Sequence, residues 1–379
     1  MGLIGGGGAG FIGRVHVTAA TLDREAELVA GAFSSSPERS RAAAGEFGVA
    51  SDRAYGSYKE MLESEALRPA EERINFVSIA TPNFTHCDIA CDALAAGFHV
   101  VCDKPMAVSI EQADRMVAAV ESSGRVFALT HNYSGYPLIR QAREMIAAGD
   151  LGDLIAVRAT YVQGWMHGMD PAAEQARGAW KSDPGKNGRG GSLGDVGTHA
   201  FHLLSFLTGE RPESLLSQMN SYSPHHELDD YGHALLRFGN GGTGCVTWSQ
   251  VSHGRLNDLS IEIDGTKASL SWRQESPNEL FVRALGQPVK IFERNPHAPF
   301  SLPTAVAACR LPGGHPEAFF EAFANVYRDA FADMRRCDSG EAIDSKTALY
   351  PSVYDGRDGV TFMDRCLASH DADNSWLPW

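Results

Sequence analysis

The chain has 379 residues, of which 43% are hydrophobic and 21% charged, and it carries a formal net charge of −14 at pH 7. This length exceeds one ordinary domain, so we expect a globular protein with two domains and a large buried core. The negative charge argues against a nucleic acid partner, because a phosphate backbone selects for clustered lysine and arginine. An uncharged ligand of sugar size is compatible with it.

The seven cysteines are scattered along the chain. An odd number without framework spacing is not typical of a disulfide-bonded protein and indicates a reducing compartment. The first residues run into glycines without a basic segment and an apolar segment, so we expect no secretory signal. No stretch reaches the roughly 18 apolar residues of a membrane span. The sequence therefore predicts a cytoplasmic protein without a membrane or nucleic acid partner.

Short apolar runs and amphipathic helical stretches alternate over the first 130 residues. The predicted strands are Leu3–Ile4, Glu27–Phe33, Ile74–Ala80, His99–Cys102 and Val126–Leu129. The predicted helices are Ile12–Asp23, Pro37–Phe47, Ser57–Glu65, His86–Ala96 and Ile110–Ser122. Repeated strand and helix predict an α/β fold, with a doubly wound parallel sheet of Rossmann type over residues 1–130.

The pattern changes after residue 130. A helix (Leu138–Ala148), a strand (Ile155–Gln163) and a long glycine-rich loop precede a helix at Asp195–Leu207. Runs typical of hairpins follow at Tyr231–Phe238, Gly244–Val251, Leu259–Ile263 and Ala268–Trp272. The sequence therefore predicts a second, α+β domain over residues 131–379 with a large, mainly antiparallel open sheet.

Residues 5–13 form a glycine-rich loop between the first strand and the first helix. It contains the G-x-G-x-x-G spacing in two registers, Gly5/Gly7/Gly10 and Gly8/Gly10/Gly13. Such a loop lets backbone N–H groups approach a pyrophosphate at a helix N-terminus. A flexible glycine-rich terminus is the alternative, and the four strand and helix alternations that follow disfavour it. The predicted cofactor contacts here are Gly5, Gly7, Gly8, Gly10, Phe11 and Ile12.

The second strand ends in Phe33-Ser34-Ser35-Ser36, with Arg39 and Arg41 just beyond. A dinucleotide site usually offers an acidic side chain to the adenosine ribose at this point. Without that carboxylate, NADP is permitted and NAD is not excluded, with Ser34, Ser35 and Arg39 as candidate contacts. The alternative is that the serines cap a helix beginning at Pro37.

Three further motifs lie where a nicotinamide pocket is expected. They read Ala80-Thr81-Pro82-Asn83-Phe84-Thr85-His86, Cys102-Asp103-Lys104-Pro105 and Gly194-Asp195-Val196-Gly197-Thr198-His199. With the glycine loop, they resemble the glucose-fructose oxidoreductase, inositol dehydrogenase and rhizopine-catabolism (Gfo/Idh/MocA) family over nearly the whole chain. The resemblance implies an NAD(P)-dependent oxidoreductase that transfers a hydride between nicotinamide and a secondary alcohol or ketone carbon of a sugar, cyclitol or sugar derivative.

The resemblance implies that Lys104, Asp195 and His199 are catalytic. Lys104, preceded by Asp103 where the family more often has glutamate, would hydrogen-bond the reacting oxygen. His199, or alternatively Lys104, would take the hydroxyl proton, and Asp195 would bind a neighbouring hydroxyl and tune the histidine. The alternatives are a solvated turn lysine, a helix ion pair without function, and a metal site that includes His202. No cysteine or glutamate completes a metal set nearby, so no metal is expected.

Further contacts follow from the same motifs. The remaining predicted cofactor contacts are Thr81, Pro82, Asn83, His86, Asp103, Lys104 and Asn132. The predicted substrate contacts are Tyr133, Gln163, Trp165, Trp180 and His315, for each of which core packing or loop anchoring is the alternative. The family often forms dimers through the open sheet, so we expect a homodimer or homotetramer.

Two other functions stay open at this point. One is a glycosidase that uses bound NAD transiently to oxidise a sugar hydroxyl, eliminate the aglycone and return the hydride. The other is a non-catalytic regulator that binds a dinucleotide, which the intact Lys104, Asp195 and His199 disfavour.

Overall fold

The protein was analysed as a computed structural model that describes residues 1–8, 11–166, 183–223 and 226–379. The chain forms two compact units. The first comprises Met1–Asn132 with Phe323–Arg357, and the second comprises Tyr133–Ala322 with Asp358–Trp379. The assignment of cofactor binding to one domain and of substrate binding and oligomerisation to the other stays a prediction.

The first unit contains, among the described residues, a five-stranded parallel sheet in the order β2-β1-β3-β4-β5. Its strands are β1 (Gly2–Gly5), β2 (Ala30–Ala32), β3 (Phe76–Ala80), β4 (His99–Cys102) and β5 (Phe127–Leu129). Its connecting helices are α1 (Ile12–Thr21), α2 (Pro37–Ala43), α3 (Tyr58–Ala66), α4 (His86–Ala95) and α5 (Ile110–Ser123). The predicted doubly wound parallel sheet is confirmed.

Local sequence signals explain where these helices begin and end. Ser36, Ser57 and Ser109 precede α2, α3 and α5, and each side-chain oxygen accepts a hydrogen bond from a backbone N–H of the first turn. These bonds satisfy donors that a helix N-terminus otherwise leaves unpaired. Gly124 ends α5 in the left-handed conformation that glycine adopts without a steric cost. Every residue of β3 and β4 is buried, as expected for a parallel sheet with both faces covered.

The second sheet is larger and mixed. In the described part of the chain it has nine strands, in the order β13-β12-β11-β10-β6-β9-β8-β7-β14. These strands are β6 (Leu154–Val162), β7 (Pro212–Asn220), β8 (Tyr231–Phe238), β9 (Thr243–Ser249), β10 (Asp258–Gly265), β11 (Ala268–Arg273), β12 (Glu279–Ala284), β13 (Lys290–Glu293) and β14 (Leu377–Pro378). The pairing of β6 with β9 is parallel, and the other pairings are antiparallel. The predicted mainly antiparallel sheet is therefore confirmed.

The remaining α-helices of the described residues are α6 (Pro137–Ala147), α7 (Pro184–Asn187), α8 (Thr198–Thr208), α9 (Pro303–Ala308), α10 (Phe319–Asp338) and α11 (Val353–Asp371). Helix α8 packs on β6, β9 and β10, and the sheet buries Trp248 and Trp272 fully. Along β8, buried Ala234 and Leu236 alternate with exposed Leu235 and Arg237, so the opposite face of the sheet meets solvent. None of the helices in the described residues has the length and hydropathy needed to cross a membrane.

Candidate active site

The glycine loop leaves β1 in a conformation that only glycine fits. Gly5 has a φ of +84°, and a β-carbon placed on it would lie 2.5 Å from the carbonyl oxygen of Ala80. A β-carbon on Gly13 would lie 2.4 Å from Cα of Gly6, so the strand and α1 approach backbone to backbone. The loop also touches the end of β2, because the Gly7 N–H donates to the Phe33 carbonyl oxygen at 3.1 Å.

Other predicted loop residues are more open. Gly8 has a φ of +82°, and a β-carbon placed on it would meet nothing within 4 Å. Phe11, directly before α1, is 70% exposed. Gly10 lies outside the described residues. A tightly packed glycine loop at the N-terminus of a helix is the arrangement that a pyrophosphate requires.

The serines after β2 have mixed roles. Ser36 caps α2 by accepting a hydrogen bond from the Arg39 N–H, so the helix-cap interpretation holds for Ser36. The Ser34 hydroxyl oxygen accepts a hydrogen bond from the Ser36 N–H at 3.2 Å. Ser35 and Arg39 are exposed, and the Arg41 guanidinium lies 3.5 Å from Glu60. Contact of Ser34, Ser35 and Arg39 with the cofactor stays a prediction.

The ends of β3, β4 and β5 lie side by side, because parallel pairing aligns Ile79 with Cys102 and Cys102 with Leu129. The motifs that follow these strands therefore share one edge of the sheet. Half-buried Thr81 and Pro82 follow β3, and half-buried Asp103 and Lys104 follow β4. The peptide bond between Lys104 and Pro105 is cis. Asn83 and Asn132 are buried at the same edge.

His86 joins two of these strand ends. Its ring is fully buried, with Nε2 2.9 Å from the Thr81 carbonyl oxygen and Nδ1 2.9 Å from the Pro105 carbonyl oxygen. Burial lowers the pKa of His86 below its ordinary value of 6.5, and the opposing effect of Asp103 is smaller. His86 thus connects the Thr81 turn with the Lys104-Pro105 turn, and its predicted contact with the cofactor stays a prediction.

Asp103 is an ionised carboxylate that is largely shielded from water. Its Oδ1 accepts a hydrogen bond from the Thr130 hydroxyl at 2.8 Å. Burial raises the pKa of Asp103, but His16, Lys104 and His86 together lower it by more, so the pKa lies well below its ordinary value. The effect of Lys104 on this pKa shows that the ammonium and the carboxylate attract each other.

In the second unit, Asp195 lies in a π-helical turn. The turn spans Leu193–Gly197, and the α-helix α8 begins only at Thr198. The expectation that Asp195 and His199 lie on one regular α-helix is therefore wrong. The wider turn changes the angle between them, and such π turns are frequent at functional sites.

Asp229 holds this turn in place. Its Oδ1 accepts a hydrogen bond from the Gly191 N–H at 2.6 Å. Its Oδ2 accepts from the Leu193 N–H at 2.8 Å, the Ser192 hydroxyl at 2.7 Å and the Trp248 indole N–H at 2.9 Å. Burial raises the pKa of Asp229, against the opposite effect of these donors. No sequence motif marked this residue.

Gln250, directly after β9, orients the Asp195 side chain. Its Nε2 donates to Asp195 Oδ2 at 2.7 Å, and Gln250 itself is buried. The sequence prediction missed Gln250, because β9 already contains Thr243, Thr247 and Ser249 and a further polar residue after it gives no distinct signal.

His199 is buried against two tyrosines. Its ring meets Tyr133 edge-on at 5.0 Å and Tyr161 at 5.9 Å between centroids. Tyr161 donates a hydrogen bond to Asn257 Oδ1 at 2.6 Å, Asn257 Nδ2 donates to the Tyr133 hydroxyl at 3.1 Å, and the two hydroxyls lie 2.7 Å apart. Burial raises the pKa of Tyr161 well above its ordinary value. This closed ring of hydrogen bonds therefore fixes the two tyrosine rings that contact the His199 imidazole.

Two further predicted substrate residues join this cluster. Gln163 Nε2 donates to Asn257 Oδ1 at 2.8 Å, and the Trp165 indole N–H donates to Gln163 Oε1 at 2.8 Å. His315 lies on another loop, where it is exposed and its carbonyl oxygen accepts a hydrogen bond from Arg294. Trp180 lies outside the described residues.

Comparison with known proteins identifies the family. Residues 2–131 match the oxidoreductase family with the NAD-binding Rossmann fold, and residues 139–271 match the GFO/IDH/MocA C-terminal domain. The chain belongs to the Gfo/Idh/MocA oxidoreductase family. It is an NAD-binding oxidoreductase, and the expected family and cofactor are confirmed.

Three relatives of this Gfo/Idh/MocA oxidoreductase span most of its length. The uncharacterized oxidoreductase YfiI of Bacillus subtilis is 31% identical over 99% of this chain and 95% of that protein. The crystal structure of an inositol dehydrogenase homolog from Azotobacter vinelandii, complexed with NAD+, is 35% identical, with a TM-score of 0.91 over 100% of this chain and 96% of that one. Levoglucosan dehydrogenase of Pseudarthrobacter phenanthrenivorans is 29% identical over 74% of this chain and 75% of that protein.

The glycine loop of this Gfo/Idh/MocA oxidoreductase fits the dinucleotide. Side chains at Gly5, Gly7 or Gly13 would collide with neighbouring backbone at 2.4–2.6 Å, so the packing of the loop requires glycine at these three positions. The span from Gly5 to Gly13 is three residues longer than the G-x-G-x-x-G spacing. Gly13 has the role of the third glycine of that motif, because it lets α1 pack closely on the end of β1.

Proposed function

We propose that this oxidoreductase transfers a hydride between the nicotinamide ring and a secondary alcohol or ketone carbon of a sugar, cyclitol or sugar derivative. The observation that carries the proposal is the cluster of Asp195, His199 and the hydrogen-bonded tyrosines in a member of an NAD-binding family. A buried imidazole beside polar side chains suits proton transfer at a hydroxyl group. Relatives named as an inositol dehydrogenase homolog and a levoglucosan dehydrogenase support polyols as the substrate class.

In this proposal Lys104 and His199 act on the same substrate hydroxyl. His199 takes the hydroxyl proton, and the Lys104 ammonium stabilises the developing alkoxide. Asp195, held by Gln250, binds a neighbouring hydroxyl. The dinucleotide, when bound, supplies the hydride acceptor or donor.

The proposed cofactor range includes both NAD and NADP. Exposed Ser35 and Arg39 follow β2, and a guanidinium group can pair with a 2′-phosphate. Glu38, the nearest carboxylate in the sequence, accepts a hydrogen bond from the Ser36 hydroxyl at 2.9 Å. Arg39→Ala is expected to weaken NADP binding more than NAD binding.

We further propose a cytoplasmic homodimer or homotetramer that buries the open face of the second sheet. Exposed Leu235 lies on that face between half-buried Cys245 and exposed Arg237. Light scattering coupled to gel filtration measures the mass directly, and Leu235→Glu is expected to reduce it to that of a monomer.

A panel of cyclitols and sugars, incubated with NAD or NADP, tests the function. The absorbance of reduced nicotinamide is expected to rise with at least one polyol. Dinucleotide binding without any polyol oxidation would instead favour the non-catalytic regulator. Cleavage of a nitrophenyl glycoside without net NADH would favour the glycosidase.

A further inference from the structure

A chain of buried polar side chains lies behind the strand end that carries Lys104. We call it the His16 network. It contains five residues of the first unit: His16, Ser78, Asp103, Thr130 and Tyr327. None of them belongs to the predicted catalytic set, and only Asp103 was predicted to contact the cofactor.

Two contacts of the His16 network are short hydrogen bonds between side chains that are fully buried. The Ser78 hydroxyl lies 2.7 Å from the Tyr327 hydroxyl, which lies 2.6 Å from His16 Nδ1. His16 Nε2 faces Asp103 Oδ1 at 3.6 Å. His16, Ser78 and Tyr327 are each 0% exposed. Burying a polar group costs free energy of folding unless the group is hydrogen-bonded. The hydrogen bonds between these side chains offset that cost.

The carboxylate of Asp103 determines how the protons are arranged. A carboxylate only accepts hydrogen bonds, so the histidine nitrogen that faces it carries the hydrogen. His16 is then the Nε2–H tautomer, and its Nδ1 accepts the hydrogen of Tyr327. Burial raises the pKa of Tyr327 above its ordinary value, so the phenol keeps the proton that it donates. The separation of 3.6 Å between His16 Nε2 and Asp103 Oδ1 exceeds a hydrogen bond, and the N–H dipole attracts the carboxylate through its charge.

The His16 network connects two parts of the predicted site. His16 lies on α1, one turn beyond the glycine loop, and Asp103 directly precedes Lys104. In the described residues, the titratable groups that interact with Asp103 include His16 from α1, His86 from α4, Tyr327 from α10, and Cys102 and Lys104 from its own strand end. Both ring nitrogens of His86 face backbone carbonyl oxygens, whereas His16 Nε2 faces the Asp103 carboxylate.

We propose that Tyr327 and His16 are positioning residues of the dehydrogenase reaction, which keep the Asp103 carboxylate oriented so that it holds the Lys104 ammonium in place. The proposal rests on the proposed function, because it takes Lys104 as the group that contacts the reacting hydroxyl. Tyr327 acts through His16, and His16 acts through Asp103. The role is distinct from packing, since the Tyr327 ring already packs against Phe323 and Phe331 without its hydroxyl.

The test variant is Tyr327→Phe, which removes the hydroxyl and keeps the ring. Tyr350→Phe is the matched control, because Tyr350 is also buried in the first unit and donates to Asp333 at 3.0 Å, away from Asp103. With the polyol identified by the panel, kcat of Tyr327→Phe is expected to fall about tenfold, a typical loss for a group that orients a functional side chain. The dissociation constant for NAD is expected to stay within about twofold, since no backbone of the glycine loop changes.

A double variant shows whether the effect passes through Asp103. In an Asp103→Asn background, Tyr327→Phe is expected to cause no further loss of kcat, because the carboxylate that selects the histidine tautomer is gone. Equal losses in both backgrounds would overturn the proposal. So would an unchanged kcat in Tyr327→Phe, or an equal loss in Tyr350→Phe.

Chemical labelling of Lys104 tests the proposal without any substrate. Modification of Lys104 by acetic anhydride is followed across pH by mass spectrometry in the absence of dinucleotide. In Tyr327→Phe the midpoint is expected to move to lower pH, in the direction of Asp103→Asn, because a less ordered carboxylate stabilises the ammonium less. An unchanged midpoint overturns the proposal. If no polyol in the panel is oxidised, the proposed function is overturned. The labelling result then decides by itself whether Tyr327 and His16 orient Asp103 towards Lys104.

Discussion

At the scale of single residues, the orientation of Asp195 depends on a side chain that directly follows β9. Gln250 Nε2 donates to Asp195 Oδ2 at 2.7 Å, and Gln250 is buried. A hydrogen bond from a buried amide to a charged carboxylate is stronger than one between neutral groups. The rotamer of Asp195 is therefore set before any substrate binds.

Replacing Gln250 by methionine is expected to lower kcat about tenfold, because Asp195 loses the hydrogen bond from Gln250 while the volume of the side chain is kept. Steady-state kinetics on the best polyol of the panel measures the loss. Gln141→Met is the matched control, since Gln141 is equally buried but bonds Phe300 and Leu302. If Gln141→Met lowers kcat as much, the effect of Gln250 is one of general stability.

The motifs that carry Lys104, Asp195 and His199 could be located from sequence because each is short and local. Their partners could not. Tyr161 bonds Asn257 across 96 positions of the chain, and His16 bonds Tyr327 across 311 positions. Only the packing of strands and helices brings such pairs together, so a single sequence offers no local signal for them.

At the scale of elements, the packing of α1 on β1 depends on two glycines. A β-carbon on Gly13 would lie 2.4 Å from Cα of Gly6 and 2.9 Å from its carbonyl oxygen. Both neighbours are backbone atoms, so the helix would have to move away from the strand. That movement would change the geometry of the loop that we propose as the pyrophosphate site.

Gly13→Ala is therefore expected to destabilise the protein by about 1–3 kcal/mol, as overpacking does, and to weaken NAD binding. Urea unfolding and fluorescence titration with NADH measure the two effects. Gly45→Ala is the control, because a β-carbon there meets nothing within 4 Å. NADH affinity equal to the wild type in Gly13→Ala would show that the loop tolerates the shift.

The alternation of strands and helices in the first 130 residues was predictable because each element has its own period of apolar residues. Further along, β7, β12 and β13 lay outside the predictions. Strand β7 mixes proline, serine and glutamine with its leucines, which conceals the alternation. The parallel pairing of β6 with β9 depends on residues far apart in sequence, and local periodicity contains no information about it.

At the scale of the whole molecule, buried histidines make stability depend on pH. His99 Nδ1 accepts a hydrogen bond from the Val126 N–H at 2.9 Å, and its Nε2 lies 3.1 Å from Asp338. Burial lowers the pKa of His99 below 6.5, and the opposing effect of Asp338 is smaller. The pKa of His86 is also lowered by burial. The unfolded chain therefore binds protons more readily than the folded protein as pH falls below 6.5.

The stability contributed by these two neutral histidines is full above pH 6.5 and is lost as pH falls towards their lowered pKa values. We expect the melting temperature to fall between about pH 7.5 and about pH 5.5, because a tenfold difference in proton affinity between the unfolded and folded chain corresponds to about 1.4 kcal/mol. Differential scanning calorimetry measures it. His99→Gln is expected to reduce this dependence, and the exposed His315→Gln to leave it unchanged. A melting temperature that rises on acidification would contradict the assignment of neutral histidines.

The central claim is that Lys104 acts on the reacting hydroxyl and His199 takes its proton. The most direct measurement is turnover of Lys104→Ala on the best polyol, made together with a titration of NADH binding and with exposed Lys59→Ala as the control. We predict that turnover falls by about a hundredfold or more, the contribution of a group that transfers or stabilises charge at the reacting oxygen, while NADH affinity is nearly unchanged. Turnover of Lys104→Ala equal to that of the wild type would contradict the claim.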